Sequence, residues 1–252
     1  MKCGVIMDMI FQKLNRIVIA EFSIGGINFE LSNTLVCVWI ASALLIILCT
    51  LFTRNLKEKP GKCQMVVEML VGFVCNLCRD NIGEKYYRKY VPYIGTLFLF
   101  LCMSNLLPVF DFFPGLELYP PTKDINVTMP LAIISILVVI YSTLRVKGVI
   151  GSAKELTKPI AIMTPFNLLE YITKPVSLCL RLFGNMVAAF IIMQLILYYI
   201  GILAAPMSAY FDFFDGILQA YIFAFLTCIY VGEAVDISDL EDALADASPT
   251  GK

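Results

Sequence analysis

An arginine stands alone deep in an apolar region of this chain. Within "LCLRLFGNMVAAF" (Leu178–Phe190) the only charge is Arg181, and no charged residue follows it before Asp212. A guanidinium does not give up its proton inside a protein, and at mid-membrane it costs about 2.5–3.5 kcal/mol on insertion scales. One reading has Arg181, six residues after Pro175, snorkelling to an interface from near a helix end. The other has it facing a partner. Asn185 and Ala188 follow at i+4 and i+7 on the same helical face, with Gly184 beside them. Small residues let a second helix approach closely, so a fixed cation there suggests a carboxylate brought from outside the chain. Packing of Gly184 and Ala188 within the chain is the plain alternative.

The last apolar stretch carries the opposite charge. Asp212, Asp215 and Gln219 fall at i, i+3 and i+7, which on an α-helix is one face. Two carboxylates leading to an amide suit the lining of a water-filled entry for a cation. Loop residues capping a helix start are the simpler account of Asp212, whereas Gln219, two turns deeper, needs partners. In "TPFNLLEYITKP", Asn167, Glu170 and Lys174 gather. Glu170 and Lys174 stand at i, i+4, which suits an ordinary surface ion pair as well as a second aqueous vestibule.

Composition narrows the class. Of 252 residues 59% are hydrophobic and 15% charged, against about a quarter charged in soluble domains. The net charge of −1 offers no basic face for nucleic acid. There is no histidine, the commonest metal ligand and general base, and neither a phosphate-cradling loop nor a nucleophile beside a base is present. Metal and cofactor are therefore not expected, and ion conduction is the natural chemistry. The nine cysteines fall mostly in apolar runs and behave there as small hydrophobes; Cys75 and Cys78 form a lone C-x-x-C without the second pair that zinc binding needs.

These residues need membrane helices to hold them. Thr34–Phe52, Val91–Phe110 and Ile125–Leu144 are charge-free and long enough to cross the roughly 30 Å hydrocarbon core. From Pro159 to Glu233 the chain is apolar almost throughout, and Pro175, Gly201 and Pro206 divide it into two long helices, about Pro175–Ile200 and Pro206–Glu233. Each exceeds a perpendicular span, so strong tilt is expected. Pro60–Ile82 reads as an amphipathic surface helix, with Cys63, Val66, Val67, Leu70, Val74 and Leu77 on the apolar face. The expectation is thus an all-α integral membrane protein of about five membrane helices plus one surface helix. Its parts are an N-terminal outer segment, 1–33, a membrane domain, 34–233, with the polar pathway in 159–233, and an acidic tail, 234–252.

Eight lysines and arginines lie between Arg54 and Lys89 and five between Arg145 and Lys174, whereas Asp111–Asp124 holds one. The basic connections are expected to face the cytoplasm or its equivalent. The opening "MKCGVIMDMIFQKLNRIVIAEF" is a poor secretory signal, because Asp8, Lys13 and Arg16 interrupt it.

At this point the chain resembles subunit a of the membrane sector of F-type ATP synthases, the ATPase A chain family, from about Asn33 to Glu233. The blocks are "SNLLPVF" (Ser104–Phe110), "PTKDINVTMPLA" (Pro121–Ala132), "TKPVSLCLRLFGNM" (Thr173–Met186) and "LQAYIFAFLTCIYV" (Leu218–Val231), in the expected order. The resemblance implies that Arg181 matches the stator arginine facing the carboxylate of each passing c-ring subunit. Asn185 and Gln219 match its polar neighbours, and Asp212 occupies a variable polar position of the outer half-channel. Two positions depart from the pattern: Phe190 and Asn167 stand where many members carry Glu or His, and Glu, respectively. The implied role is ion-translocating rather than catalytic: two half-channels coupling proton, or sodium, movement to ring rotation and ATP turnover. Implied partners are the c-ring, subunit b of the peripheral stalk, the other synthase subunits and lipid. A bacterial plasma membrane is favoured over a mitochondrial inner membrane. A stand-alone secondary transporter or channel is the rival, although no internal repeat supports it.

Overall fold

A computed structural model describes residues 18–24, 27–54, 61–110, 120–156, 164–200, 207 and 209–247. An antiparallel hairpin, β1 (Val18–Ile24) and β2 (Ile27–Ser32), pairs Phe22 with Phe29 and Ile24 with Ile27. It is the one β feature among the described residues and precedes an all-helical membrane region. The helices are α1 (Asn33–Thr53), α2 (Lys62–Ile82), α3 (Tyr87–Leu106), α4 (Ile125–Leu156), α5 (Thr164–Tyr199) and α6 (Gly216–Ala247). Among the described residues, four stretches are long and apolar enough to cross a membrane: Asn33–Thr53, Ile125–Arg145, Leu169–Tyr199 and Phe213–Val235. The fifth expected span, Val91–Phe110, falls in α3, whose first turn carries Arg88 and Lys89, and ends in a 3-10 turn, Leu107–Phe110. The chain is a multi-pass membrane protein.

The ends of these helices follow from local chemistry. The Ser32 hydroxyl accepts from the Thr34 amide at 3.3 Å to cap α1. Asp124 does the same for α4, accepting from the Asn126 amide at 3.0 Å. Gly83 closes α2 at φ +88°, a conformation other residues rarely adopt.

Two departures from the sequence reading concern α5 and α2. Proline reads as punctuation in a sequence, yet α5 runs unbroken through Pro175 and begins at Thr164. Pro92 and Pro130 likewise lie inside α3 and α4. In a membrane bundle, neighbouring groups satisfy the carbonyl that a proline frees. In α2, only the later part of the apolar face is buried, at Val74, Leu77, Cys78 and Ile82. Cys63 and Val66 are exposed, because spacing defines a face but not what covers it. The N-terminal residues 1–17, the loop 111–119 with Asp111 and Glu117, Pro206 and the end of the acidic tail lie outside the described residues.

The chain divides into two compact units. The first comprises Met1–Arg54, Leu99–Val127 and Leu182–Ala220; the second comprises Asn55–Phe98, Thr128–Arg181 and Tyr221–Lys252. In the first, Cys37 and Ala41 of α1 pack on Leu107, flanked by Ile40 and Phe100. In the second, α2, α3 and α6 meet through Phe73, whose ring lies 6.0 Å from Phe98 and 5.8 Å from Tyr221. The thiols of Cys78 and Cys228 approach to 3.9 Å in the same region.

Gly232 of α6 lies directly against the backbone carbonyl of Asn81, and a Cβ there would collide with it. Gly72 of α2 faces open space. Gly232→Val is therefore expected to destabilise the subunit by about 3 kcal/mol or more and to deplete it from membranes. Gly72→Ala should leave its abundance unchanged. Immunoblots of membranes and thermal denaturation of the solubilised complex measure both.

Candidate functional site

Arg181 lies 17 residues into the 36-residue helix α5. At 1.5 Å per residue it stands about 26 Å from the helix start and about 27 Å from its end. Arg181 is exposed, on a continuous exposed stripe with Thr173, Ser177, Leu180, Gly184 and Ala188. The buried face of the helix carries Leu178, Cys179, Leu182 and Met186. No carboxylate among the described residues lies within ion-pairing distance of Arg181. A Cβ on Gly184 would meet nothing within 4 Å among the described residues, so none of them packs closely against this glycine.

One turn further along α5, Asn185 meets the last helix. Its side-chain amide donates to Asp215 Oδ1 at 3.1 Å, to Oδ2 at 3.2 Å and to Gln219 Oε1 at 3.3 Å. Asp215 and Asn185 are half-buried, while Gln219 is 2% exposed and its Nε2 has no hydrogen-bond partner. An unpaired buried amide N–H costs about 1–3 kcal/mol. Asp215 and Gln219 are one turn apart on the same face, and both point an oxygen at Asn185. A carboxyl group, two amide oxygens and a spare donor can pass a small cation or a water-borne proton between them.

Residues Ala209–Asp215 form a π-helix, not an α-helix. In that winding the fifth residue along, rather than the third or fourth, closes each hydrogen bond. The α-helical spacing that grouped Asp212 with Asp215 therefore does not apply, and the Asp212 side chain lies outside the described residues. So does that of Asn167, near the start of α5.

In the second unit, Lys174 Nζ pairs at 2.8 Å with Glu170 and at 2.8 Å with Glu233, and lies 5.1 Å from the Tyr230 ring centre. The i, i+4 ion pair expected from the sequence is present. Glu233, 59 residues away from Lys174 along the chain, was beyond the reach of local spacing. Phe190 has Lys123 Nζ above its ring at 3.6 Å from the centre, a contact without any local signature. Asn105 and Thr122, both buried, join the first unit's polar set: Thr122 donates to Asn105 Oδ1 at 2.7 Å, and Asn105 Nδ2 donates to the Gly216 carbonyl at 3.0 Å.

Comparison with known proteins follows the same residues. A family model described as ATP synthase A chain matches residues 35–232, which hold Arg181, Asn185, Asp215 and Gln219. A relative, the "ATP synthase subunit a, sodium ion specific" of Propionigenium modestum, is 34% identical over 235 residues, covering 88% of this chain and 81% of the relative.

The shared lysine gives a direct test. Glu170 and Glu233 are each about half exposed, but the Lys174 side chain is only 18% exposed. Glu170→Gln or Glu233→Gln alone should cost about 1 kcal/mol or less. The double change leaves a largely covered ammonium unpaired and should cost more than the sum, approaching about 3 kcal/mol. Denaturation midpoints of the solubilised complex for the three variants measure it.

Proposed function

The chain belongs to the ATP synthase A chain family, and from that premise we propose that it is the stator of the membrane sector, with Arg181 the residue that meets the rotor. The observation that carries the proposal is the position of Arg181: mid-helix, exposed, without an ion-pair partner among the described residues and next to the open space above Gly184. A guanidinium facing lipid tails would be costly, and a passing carboxylate from a ring of c subunits removes that cost. Beside Arg181 the carboxylate is held in its charged form. Loaded with an ion it is neutral and can turn into lipid.

On this reading an ion enters an outer half-channel by Asp212, Asp215, Asn185 and Gln219 and transfers to the ring carboxylate. After nearly a full turn it leaves by an inner vestibule near Asn167 and Glu170, with the Lys174 and Glu233 pairs at its border. Arg181 stands between the two routes, so leakage without rotation is blocked. Each elementary charge crossing 100 mV releases about 2.3 kcal/mol, so several ions drive one ATP synthesis. The subunit does no bond-making itself. The basic connections Arg54–Lys89 and Arg145–Lys174 lie on the ATP-synthesising side, subunit b and the other subunits complete the complex, and the membrane is a bacterial plasma membrane. The stand-alone transporter alternative loses its footing in a chain of this family.

Two ions fit this chemistry. The proton is the first reading. Sodium is the second, favoured by the sodium-specific relative and by the oxygen-rich set of Asp215, Gln219 and Asn185, since hard cations take oxygen ligands. ATP-driven uptake into vesicles holding the whole synthase separates them. Uptake that needs Na+ and persists with an uncoupler assigns sodium; acidification in Na+-free buffer that an uncoupler abolishes assigns the proton.

Arg181→Ala is expected to reduce ATP-driven ion uptake in such vesicles to background. Arg181→Lys should lose most coupling as well, because a desolvated lysine can release its proton. Wild-type uptake by Arg181→Ala would refute the role, and normal synthesis by Arg181→Lys would mean that charge alone suffices.

A further inference from the structure

The short turn Pro121–Lys123 reaches both helices of the candidate outer site, α5 directly through Lys123 and α6 by way of Asn105 of α3, which Thr122 holds. Its backbone is closed by Lys123 N–H donating to the Pro120 carbonyl at 3.0 Å and Asp124 N–H to the Pro121 carbonyl at 3.1 Å, and Pro121 and Thr122 are buried. From this fixed base the Thr122 hydroxyl donates to Asn105 Oδ1 at 2.7 Å, and Asn105 Nδ2 donates to the Gly216 carbonyl at 3.0 Å. The acceptor settles the orientation of the amide, because a backbone carbonyl can only accept. Gly216 is the first residue of α6, immediately after the π-helix, and an added Cβ there would lie 3.0 Å from Asn105 Cβ. The chain Thr122–Asn105–Gly216 thus fixes α6 at the residue next to Asp215. The following residue of the turn, Lys123, sets its ammonium 3.6 Å above the ring of Phe190, five residues beyond Asn185 on α5. A cation at that distance from a ring is held by its quadrupole.

We propose that Pro121–Lys123 is a clamp that sets the Asn185–Asp215 spacing, with Thr122 and Asn105 as positioning residues on α6 and Lys123, through Phe190, on α5. This deepens the ion-path reading of Asp215 and rests on it. Asn185 to Asp215 is a hydrogen bond of 3.1–3.2 Å between two separate helices, so a small drift of either helix breaks it. The adjoining π-helix, Ala209–Asp215, departs from regular α-helical winding. The clamp holds α6 at Gly216, where that irregular winding ends. It also gives Phe190, at a position where an acid or histidine is expected from the family pattern, a structural task instead of an ionisable one.

The test uses the whole synthase in vesicles. ATP-driven uptake is read as a half-saturating ion concentration and a maximal rate, with NaCl titrated at fixed pH and, separately, pH titrated without Na+. Thr122→Val removes the donor at nearly constant volume and is expected to raise the half-saturating concentration about three- to tenfold, with the maximal rate changed less than twofold. Thr122→Ser, which keeps the hydroxyl, should restore it. Lys123→Met is expected to raise it about two- to threefold, and Lys123→Arg to restore it. Asp215→Asn is the reference: combined with Thr122→Val it should give less than the product of the two effects, because one acts through the other. A shift for Asp215→Asn with none for Thr122→Val and Lys123→Met overturns the clamp and leaves the ion path standing. No shift for Asp215→Asn overturns the ion path itself. Equal losses in rate and abundance, with an unchanged half-saturating concentration, reduce the turn to a stability role and also overturn the proposal. If Thr122→Val does not assemble, the Lys123 pair decides alone.

Discussion

A side chain that cannot discharge has to be solvated by something. Arg181 sits at the midpoint of the 36-residue helix α5, within a stretch apolar enough to cross a membrane. The helix turns this residue outward, onto the same stripe as Gly184 and Ala188, while its apolar neighbours Leu178, Leu182 and Met186 hold the interior. The rest of the molecule is arranged compatibly with that constraint. Charge-free spans anchor the bundle, the space beside Gly184 is open, and among the described residues Glu170, Glu233 and Asp215 are engaged with Lys174 and Asn185. On the proposed reading, the missing counter-charge belongs to a moving neighbour.

The two polar groups of the chain are built differently, and the difference fits their proposed tasks. Lys174 is saturated: two carboxylates at 2.8 Å and an aromatic face make a rigid junction between α5 and α6. Asn185, Asp215 and Gln219 are under-satisfied. One amide serves three acceptor atoms, and Gln219 retains a buried donor without a partner. A transit site for an ion should bind weakly enough to release, and a set with spare donors and acceptors does so more readily than a closed triad.

Much of this could be read from residue types and spacing. Charge-free runs of the right length announce membrane helices because hydrocarbon tolerates little else. Arg181, Asn185 and Gln219 stood out because polar groups in such runs are expensive. What the sequence hid depends on contacts between distant segments. Glu233 pairs with Lys174 across 59 residues, and Lys123 finds Phe190 with no periodicity to announce it. Pro175 misled because proline ends helices in water but is accommodated in a bundle. The winding of Ala209–Asp215 as a π-helix is not signalled by the spacing of Asp212 and Asp215, which is read with an α-helical period. The amphipathic face of α2 was correctly located, but its cover extends over only part of its length.

The central claim is that Arg181 confronts an acid from another polypeptide inside the bilayer. A structure of the assembled membrane sector, resolved well enough to place side chains at the contact of this chain with its ring, tests it most directly. The account predicts a ring carboxylate able to come within about 4–6 Å of the guanidinium, passing over Gly184 and Ala188. A guanidinium turned to bulk water or to a lipid headgroup, with no rotor acid in its path, would contradict it.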